Sequence, residues 1–482
     1  MGIKNYYEYI SNYYSDSIKD VWLSSYDCVF LDINQCLHRV IYTSNSELDL
    51  LIKLDHLIIN ILQNLNPRHK VIIASDGVAP MAKIVLQKKR RLLESCINSS
   101  SSSHNTISSL NFTPGTIFMK KLLLKLEPTL LKIKLLFNVE IECYMNTCDE
   151  AEIKIKNRMW IISKTNPEYT QCVISDDGDV ILLSSNFENI NNIYVMRKNI
   201  ISMGVLLEQH KKKYGCGINV GLDFIALNIM LGNDYLPKVN YINYDKLWNA
   251  YKFSLDCGNK GLVIKYGWEC VIDQTFMRDL LIGIITYMPK KYLHEFYVNL
   301  YNSKACDDYI NGMLWCLNMY NEGICIYYDY MYNHKIIPHC YGLYLQLLQH
   351  PQNVSYKSLQ SESQSQLQMQ SEPIPLDLYS IIVLPKKSKH MIDKKYYNIM
   401  DSKEFEILYK DEYCDECKKI NNSKKDLENK KKKLKNEQHI SCINKELYRL
   451  NSILKLHMNR HVILTNKKIY ELSEIFSSFN FF

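Results

Sequence analysis

The sequence predicts an α/β protein: a central, mostly parallel sheet flanked by helices, then a mainly helical second region and a helical C-terminal hairpin. Three observations lead there. Short apolar runs alternate with stretches of helical periodicity from Tyr26 to Met196. Acidic residues stand at or just past the ends of those runs, the edge at which open parallel sheets place their ligands. The 482 residues are enough for two or three domains with a sizeable core.

Taken in order, residues 4–24 read as an amphipathic helical entry. Tyr26 to Leu31 reads as a strand that delivers Asp32, with Asn34 and His38 just beyond it. Leu48 to Leu65 has helical spacing, and Val71–Ser75 is the next strand, closing on Asp76-Gly77. After Pro80 comes a helix-compatible stretch with Lys83, Gln87, Lys88, Lys89, Arg90 and Arg91 and no acid among them. A carboxylate at a strand end followed by a cationic helix sets a metal-binding group beside an anion-binding one. A turn aspartate followed by a solvated basic face is the plainer reading of that window taken alone.

Residues 97–109 form a Ser-rich loop, and Thr113-Pro114 is the helix N-cap pair where order resumes. Val139–Tyr144 and Cys172–Ser175 are further strands, and Asn192–Met196 is the last of the sheet. Between them Asp149-Glu150-Ala151-Glu152 leads into a helix, and Asp176-Asp177-Gly178-Asp179 follows a strand. An apolar helix over 221–231 stops at Gly232-Asn233-Asp234. This divides the chain into 1–245, a second and mostly helical region 246–400 with a disordered Gln/Ser insertion at 352–372, and a basic helical segment 401–482.

Bulk properties bound the function classes. The net charge of +7 is compatible with a polyanionic partner without demanding one. Sixteen cysteines without regular pairing, behind no secretory signal, suit reduced thiols in a cytosolic-type compartment. Leu280 to Met288, the longest apolar stretch, is too short to span a bilayer. Cys414 and Cys417, with Cys442, His457 and His461, invite a zinc reading, but the spacing beyond the first pair is irregular and ordinary thiols come first.

Asp32, Asp76, Glu150, Glu152, Asp177, Asp179 and Asp234 all fall at or after the end of an expected element. Singly, each is also what a helix cap or surface charge looks like. Together they form an oxygen-only donor set, which favours Mg²⁺ or Mn²⁺, and two such ions can clamp the attacking and leaving oxygens of a phosphodiester.

In these same stretches the chain resembles the XRN-type 5′→3′ exoribonucleases. The resemblance begins at Met1-Gly2-Ile3 and continues through LDINQCLH (31–38), DGVAPMAK (76–83), QKKRR (87–91) and TPGTIFM (113–119). DEAEIKI (149–155), DGDVILL (177–183) and GNDYLP (232–237) follow in family order, with a looser match over 312–338 and 373–388. It implies a PIN-like catalytic domain in which the seven acids hold two metal ions. It further implies that Lys83, Gln87, Arg90 and Arg91 pocket a 5′-monophosphate and that His38 stacks on the terminal base, although a lone His after a strand is otherwise a core hydrogen-bonding group. Asn34 is expected to tune the metal site or the loop, a plain turn role being the alternative, and Lys154 to meet a phosphate or carboxylate or simply lie on the surface. Where the family has a tryptophan-rich second stacking segment this chain has YYDYMY (327–332), so either Tyr327 or Tyr330 takes over that part or the stacking is weaker. Lys4 stands where the family usually has Pro, and Asp149 and Ala151 replace the glycines flanking Glu150, stiffening that loop.

The resulting expectation is a Mg²⁺- or Mn²⁺-dependent exoribonuclease acting on 5′-monophosphorylated single-stranded RNA in transcript decay. The chain would be a cytoplasmic monomer with decapping or RNA-processing partners, although the Lys run at 430–433 leaves a nuclear address open. Its compactness and composition suit a large DNA virus. Two alternatives stand beside it: a flap-type DNA nuclease, disfavoured by the glycine-free stretch after Asp234, and a catalytically silent RNA-binding scaffold, disfavoured by the full set of acids.

Overall fold

The computed structural model describes residues 6–98, 107–267, 269–288, 302–334, 337–349, 371–410, 415–432, 437–458 and 464–479. Met1 to Lys4, most of the Ser-rich loop, nearly all of the Gln/Ser insertion and Cys414 lie outside these residues. The chain groups into two units. The first comprises Met1–Arg39, Lys53–Ala82 and Lys125–Pro373; the second comprises Val40–Ile52, Lys83–Leu124 and Ile374–Phe482.

The first unit is built on seven strands: β1 (Ile18–Lys19), β2 (Tyr26–Asp32), β3 (Pro67–Ala74), β4 (Glu140–Tyr144), β5 (Gln171–Ile174), β6 (Ile193–Met196) and β7 (Ile200–Ser202). They lie in the order β1-β7-β6-β5-β2-β3-β4. The strands β6, β5, β2, β3 and β4 are parallel, while β7 and β1 add an antiparallel edge. β6 is therefore not the last strand. The Arg197 amide donates to the Asn199 carbonyl and turns the chain back into β7. The entry is not helical to residue 24 either. α1 (Tyr6–Tyr13) gives way to a short turn in which the Ser17 hydroxyl takes the Tyr14 carbonyl, and Ile18–Lys19 then pairs with β7.

From β2 the chain moves outward one way to β3 and β4, and from β5 the other way to β6 and β7. The order of strands thus reverses between β2 and β5, the point where a crevice opens at the carboxyl ends of such sheets. β2 and β5 are buried along their whole length. On one face Phe30, Ile72, Val173 and Val195 enter a core shared with Ile153, Ile155 and Met159.

The helices are α2 (Ile33–Ile41), α3 (Glu47–Leu65), α4 (Met81–Asn98), α5 (Ile117–Lys120), α6 (Leu122–Phe137), α7 (Ala151–Thr165), α8 (Asp179–Leu183), α9 (Met203–Tyr214), α10 (Val220–Ile229), α11 (Tyr244–Asp256), α12 (Gln274–Thr286), α13 (Ser303–Glu322) and α14 (Cys340–Gln349). A two-stranded hairpin, β8 (Val263–Tyr266) with β9 (Glu269–Ile272), interrupts the otherwise helical stretch after α11. In the second unit the cap of α5 is Thr116, whose oxygen accepts from the Met119 amide; Thr113 closes the turn before it instead. α15 (Leu376–Val383) and α16 (Tyr397–Asp401) follow, and α17 (Asp415–Lys432) packs on α18 (Glu437–Met458) as the expected hairpin, ahead of α19 (Asn466–Ser478).

Candidate catalytic site

Three acids meet at the carboxyl ends of adjacent strands in the first unit. β2 ends on Asp32, β3 runs two residues further to Asp76, and β5 three further to Asp177. Because β2 lies between β3 and β5, the strand that ends on Asp32 has an acid beyond the end of each neighbouring strand. Asp32 is nearly inaccessible, at 5% exposure, and accepts from the Gln35 amide. Burial first, then the charges of Asp76 and Asp177, push its carboxyl well above the ordinary range. Asn34 ties the group together: its side-chain oxygen accepts from the Asp76 amide at 3.0 Å. The Asp76 carboxylate in turn accepts from the Ala151 amide at 3.1 Å, capping the start of α7.

The loop before α7 is locked to the DGVAP turn by two backbone bonds, Gly77 N to Asp149 O and Asp149 N to Val78 O. A Cβ on Gly77 would stand 1.7 Å from the Thr147 carbonyl oxygen, so only glycine permits this approach. Asp149 itself has φ 69°, and its carboxylate accepts from the Tyr328 hydroxyl.

Two of the other acids are bound in by tyrosines. Tyr235, in the GNDYLP stretch, donates its hydroxyl to Glu150; Tyr320, on α13, donates to Asp179 at 3.0 Å. Their rings meet edge to face at 6.4 Å. Gly232, at φ 87°, turns the chain so that Asn233 accepts from the amides of Tyr235 and Leu236, which sets Asp234 inside that turn. Asp179 is also held from within its own motif, its amide donating to Asp177 at 3.1 Å. Glu150, Glu152, Asp177, Asp179 and Asp234 are all buried. Neither tyrosine was singled out from the sequence, although both lie inside stretches that carry the family resemblance.

The remaining expected residues fall as follows. His38 is half-buried on α2. Lys154 donates to the backbone carbonyls of Ser75 and Thr147, at 2.7 and 3.3 Å, holding the β3 end to the loop before α7. Burial lowers its ammonium, while Asp76 heads the acids that pull it back up. Tyr330 lays its ring on Trp315 at 4.7 Å and donates to the Asp308 carbonyl; the carbonyl of Tyr327 receives the Trp315 indole N–H. In the second unit Lys83, Gln87 and Arg91 are buried at steps of four along α4, the spacing of one helix face. Arg91 is paired with Glu94 at 3.0 Å, an acid one turn beyond the basic run.

Among the described residues no three His, Cys, Asp or Glu side chains are set so as to hold an ion. The donor chemistry nevertheless fits a hard divalent cation. Every candidate ligand is a carboxylate, and like-charge crowding of the kind that raises Asp32 is what a bound divalent cation would relieve.

Residues 1–199 match the model described as the XRN 5′-3′ exonuclease N-terminus. Over these residues the chain is similar to that family. Five of the acids, Asp32, Asp76, Glu150, Glu152 and Asp177, precede the Asp179 turn and lie with it inside the matched XRN segment; Asp234 lies beyond it. The chain is similar to a protein of Acanthamoeba polyphaga mimivirus named as a 5′-3′ exonuclease, with 24% identity over 279 residues, 51% of this chain and 43% of that one. Against human 5′-3′ exoribonuclease 1 the identity is 25% over 317 residues, 51% of this chain and 18% of the human one. The match thus spans less than half the length of either curated relative. The solved T5 D15 protein, co-crystallised with metal ions, is similar at a TM-score of 0.31 and 12% identity over 61% of this chain and 97% of that one, which adds no weight to the site. No helix among the described residues is long and apolar enough to cross a membrane.

Proposed function

We propose that this chain is a divalent-metal-dependent 5′→3′ exoribonuclease that takes 5′-mononucleotides from 5′-monophosphorylated single-stranded RNA. The observation that carries the reading is the buried Asp32 with Asp76 and Asp177 beside it at the strand-order reversal, within the XRN-matched segment. Asp32, Asp76, Glu150, Glu152, Asp177, Asp179 and Asp234 would hold two Mg²⁺ or Mn²⁺ ions. When bound, these would supply hydroxide at neutral pH and charge stabilisation for the departing oxygen. Lys83, Gln87, Arg90 and Arg91 are assigned to the terminal phosphate, where Arg forks and a Lys suit a monoester dianion. His38 with Tyr327 or Tyr330 is assigned to base stacking, worth about 1–3 kcal/mol per base. Asn34 and Lys154 are positioning residues, one fixing the Asp76 backbone and the other the β3 end.

In this reading residues 1–245 carry the chemistry, 246–400 support it, and 401–482 form an appended basic segment. The biological setting is transcript decay by a cytoplasmic monomer alongside decapping or RNA-processing proteins.

The test uses matched RNAs with 5′-monophosphate, 5′-hydroxyl or 5′-triphosphate ends, digested with Mg²⁺ or with EDTA. The monophosphate RNA should be degraded at least about tenfold faster than the other two, and EDTA or the Asp177→Ala, Asp179→Ala variant should stop it. Equal decay of all three ends would remove the phosphate-pocket assignment. An absence of decay with Mg²⁺ would leave a binding scaffold.

A further inference from the structure

Lys246, Asn249, Ala250 and Phe253 lie at steps of three, one and three along α11, the spacing of one helix face. α12 runs back against that helix: the Ser254 hydroxyl donates to the Phe276 carbonyl, and Gly283 further along faces Ala250 and Phe253. Ala250 and Gly283 are buried where the helices touch. A Cβ on Gly283 would already stand 3.1 Å from the Phe253 ring and 3.3 Å from the Ala250 methyl. With so little side chain in the contact, a cavity of about 350 Å³ remains beside it, lined also by Lys246, Asn249 and Tyr287. All of these residues belong to the first unit. Ligand sites run from about 300 to about 1,000 Å³, so this one suits a molecule of nucleotide size and is too small for a helix.

The lining says which molecule. Phe253 is 45% and Tyr287 79% exposed, so two aromatic rings are open to a ligand. Among the described residues the Lys246 ammonium has no ion pair, and neither the Asn249 amide nor the Tyr287 hydroxyl has a hydrogen-bond partner. No acid lines the cavity. A lipid tail or apolar peptide would cover the rings but leave the ammonium and the amide unpaired. A bare phosphate would use the ammonium and neither ring. A nucleotide uses all of them: the base stacks on a ring, the phosphate meets the ammonium, and the Asn amide, both donor and acceptor, meets a base edge. We propose that the cavity between α11 and α12 binds an unpaired nucleotide, a nucleobase with its phosphate, and that it shares no residue with the carboxylate site. A free mononucleotide and a nucleotide within a single strand offer the same chemistry; the tie to a strand rests on the exoribonuclease reading.

The test uses the full chain in EDTA and a 3′-labelled, 5′-hydroxyl oligouridylate of about 12 nucleotides, whose end lacks the phosphate assigned to α4. The parent should bind it at least about fivefold more tightly than Tyr287→Ser, and Tyr287→Phe, which keeps the ring, should restore the affinity. Lys246→Gln should flatten the slope of log affinity against log salt by about 0.7, the share of one phosphate contact on a single strand. Neither side chain is buried, so circular dichroism and the melting curve of each variant should match the parent. Uridine 5′-monophosphate is the second probe. If it displaces the strand from the parent and does so several-fold less well from Tyr287→Ser, the site takes the free nucleotide; if it does not displace the strand, the site takes the strand, and either pattern supports the proposal. Equal affinity of parent and Tyr287→Ser for the strand overturns it, as does an abasic strand bound as tightly as the oligouridylate. A glutamate-rich peptide whose binding Tyr287→Ser abolishes, with strand binding unchanged, also overturns it and would make the cavity a protein contact. Decay of 5′-monophosphorylated RNA by the parent with Mg²⁺ is scored separately, so failure of the nucleotide site leaves the nuclease reading standing.

Discussion

Replacing Asp149 by glycine should destabilise the first unit, although glycine is what the family resemblance expects there. Three effects compete. Asp149 sits at φ 69°, the left-handed region, which costs an ordinary residue about 1–2 kcal/mol and an aspartate somewhat less; glycine would recover that. Glycine also frees the unfolded chain, a loss of about 0.4–1 kcal/mol, so these two effects nearly cancel. What remains is the bond from the Tyr328 hydroxyl to the Asp149 carboxylate. Tyr328 is only 7% exposed, and removing the acceptor leaves its hydroxyl buried without this partner, at about 1–3 kcal/mol. The net expectation is a loss of about 2 kcal/mol for Asp149→Gly. Asp149→Asn keeps an acceptor and tolerates the same φ, so it should lose under about 1 kcal/mol. Urea unfolding at neutral pH measures both, and in a Tyr328→Phe background the cost of Asp149→Gly should largely vanish. An Asp149→Gly protein as stable as the parent would refute the reasoning and mean that relief of backbone strain outweighs the lost hydrogen bond at this loop.

Gly77→Ala should cost about 3 kcal/mol or more, or prevent folding, because the new methyl would meet backbone oxygen at 1.7 Å; the melting temperature reports it. Tyr235→Phe and Tyr320→Phe should each leave the chain folded by circular dichroism while lowering Mg²⁺-supported RNA decay about 10–100-fold, since each hydroxyl orients a candidate metal ligand. Asp223 is buried with its oxygens on the Tyr251 hydroxyl and the Val263 amide, and burial pushes its carboxyl up to about 6. The folded state therefore holds that proton more tightly than the unfolded chain. The stability this group contributes is full below about pH 4 and is lost as pH rises through about 6, a change of about 2–3 kcal/mol. Asp223→Asn should remove that slope from urea midpoints measured across the window.

The sheet was legible because a strand buried on both faces has to be a continuous apolar run, and Val29 to Leu31, Val71 to Ala74 and Cys172 to Ile174 are such runs. Their acids were legible for the same reason: a carboxylate directly after a buried strand has one place to be. β1 was not legible. Two residues paired at an edge leave no periodicity, and the turn that frees them depends on a serine hydroxyl reaching a carbonyl three residues back. The α5 cap was misplaced by three residues because Thr113 and Thr116 both carry capping chemistry, and only the turn through Gly115, at φ 89°, selects between them. Tyr235 and Tyr320 were hidden by composition: among 36 tyrosines nothing local marks the two whose hydroxyls face Glu150 and Asp179.

Those two tyrosines divide the acids by how their charge is managed. Glu150 and Asp179 are buried against phenolic donors, which stabilise a carboxylate with or without an ion. Asp32 has the backbone donors of Gln35 and Asn34 to oppose burial and the fields of Asp76 and Asp177. The phenol-bonded pair is therefore set by the fold, whereas the charge of Asp32 is the one that a divalent ion changes most. Stability should follow the same division. Asp32→Asn relieves like-charge crowding and should stabilise the metal-free protein, while Glu150→Gln, which replaces the carboxyl acceptor of the Tyr235 hydroxyl by an amide, should not. If added Mg²⁺ stabilised the Asp32→Asn protein as much as the parent, Asp32 would not be where the ion's charge is spent.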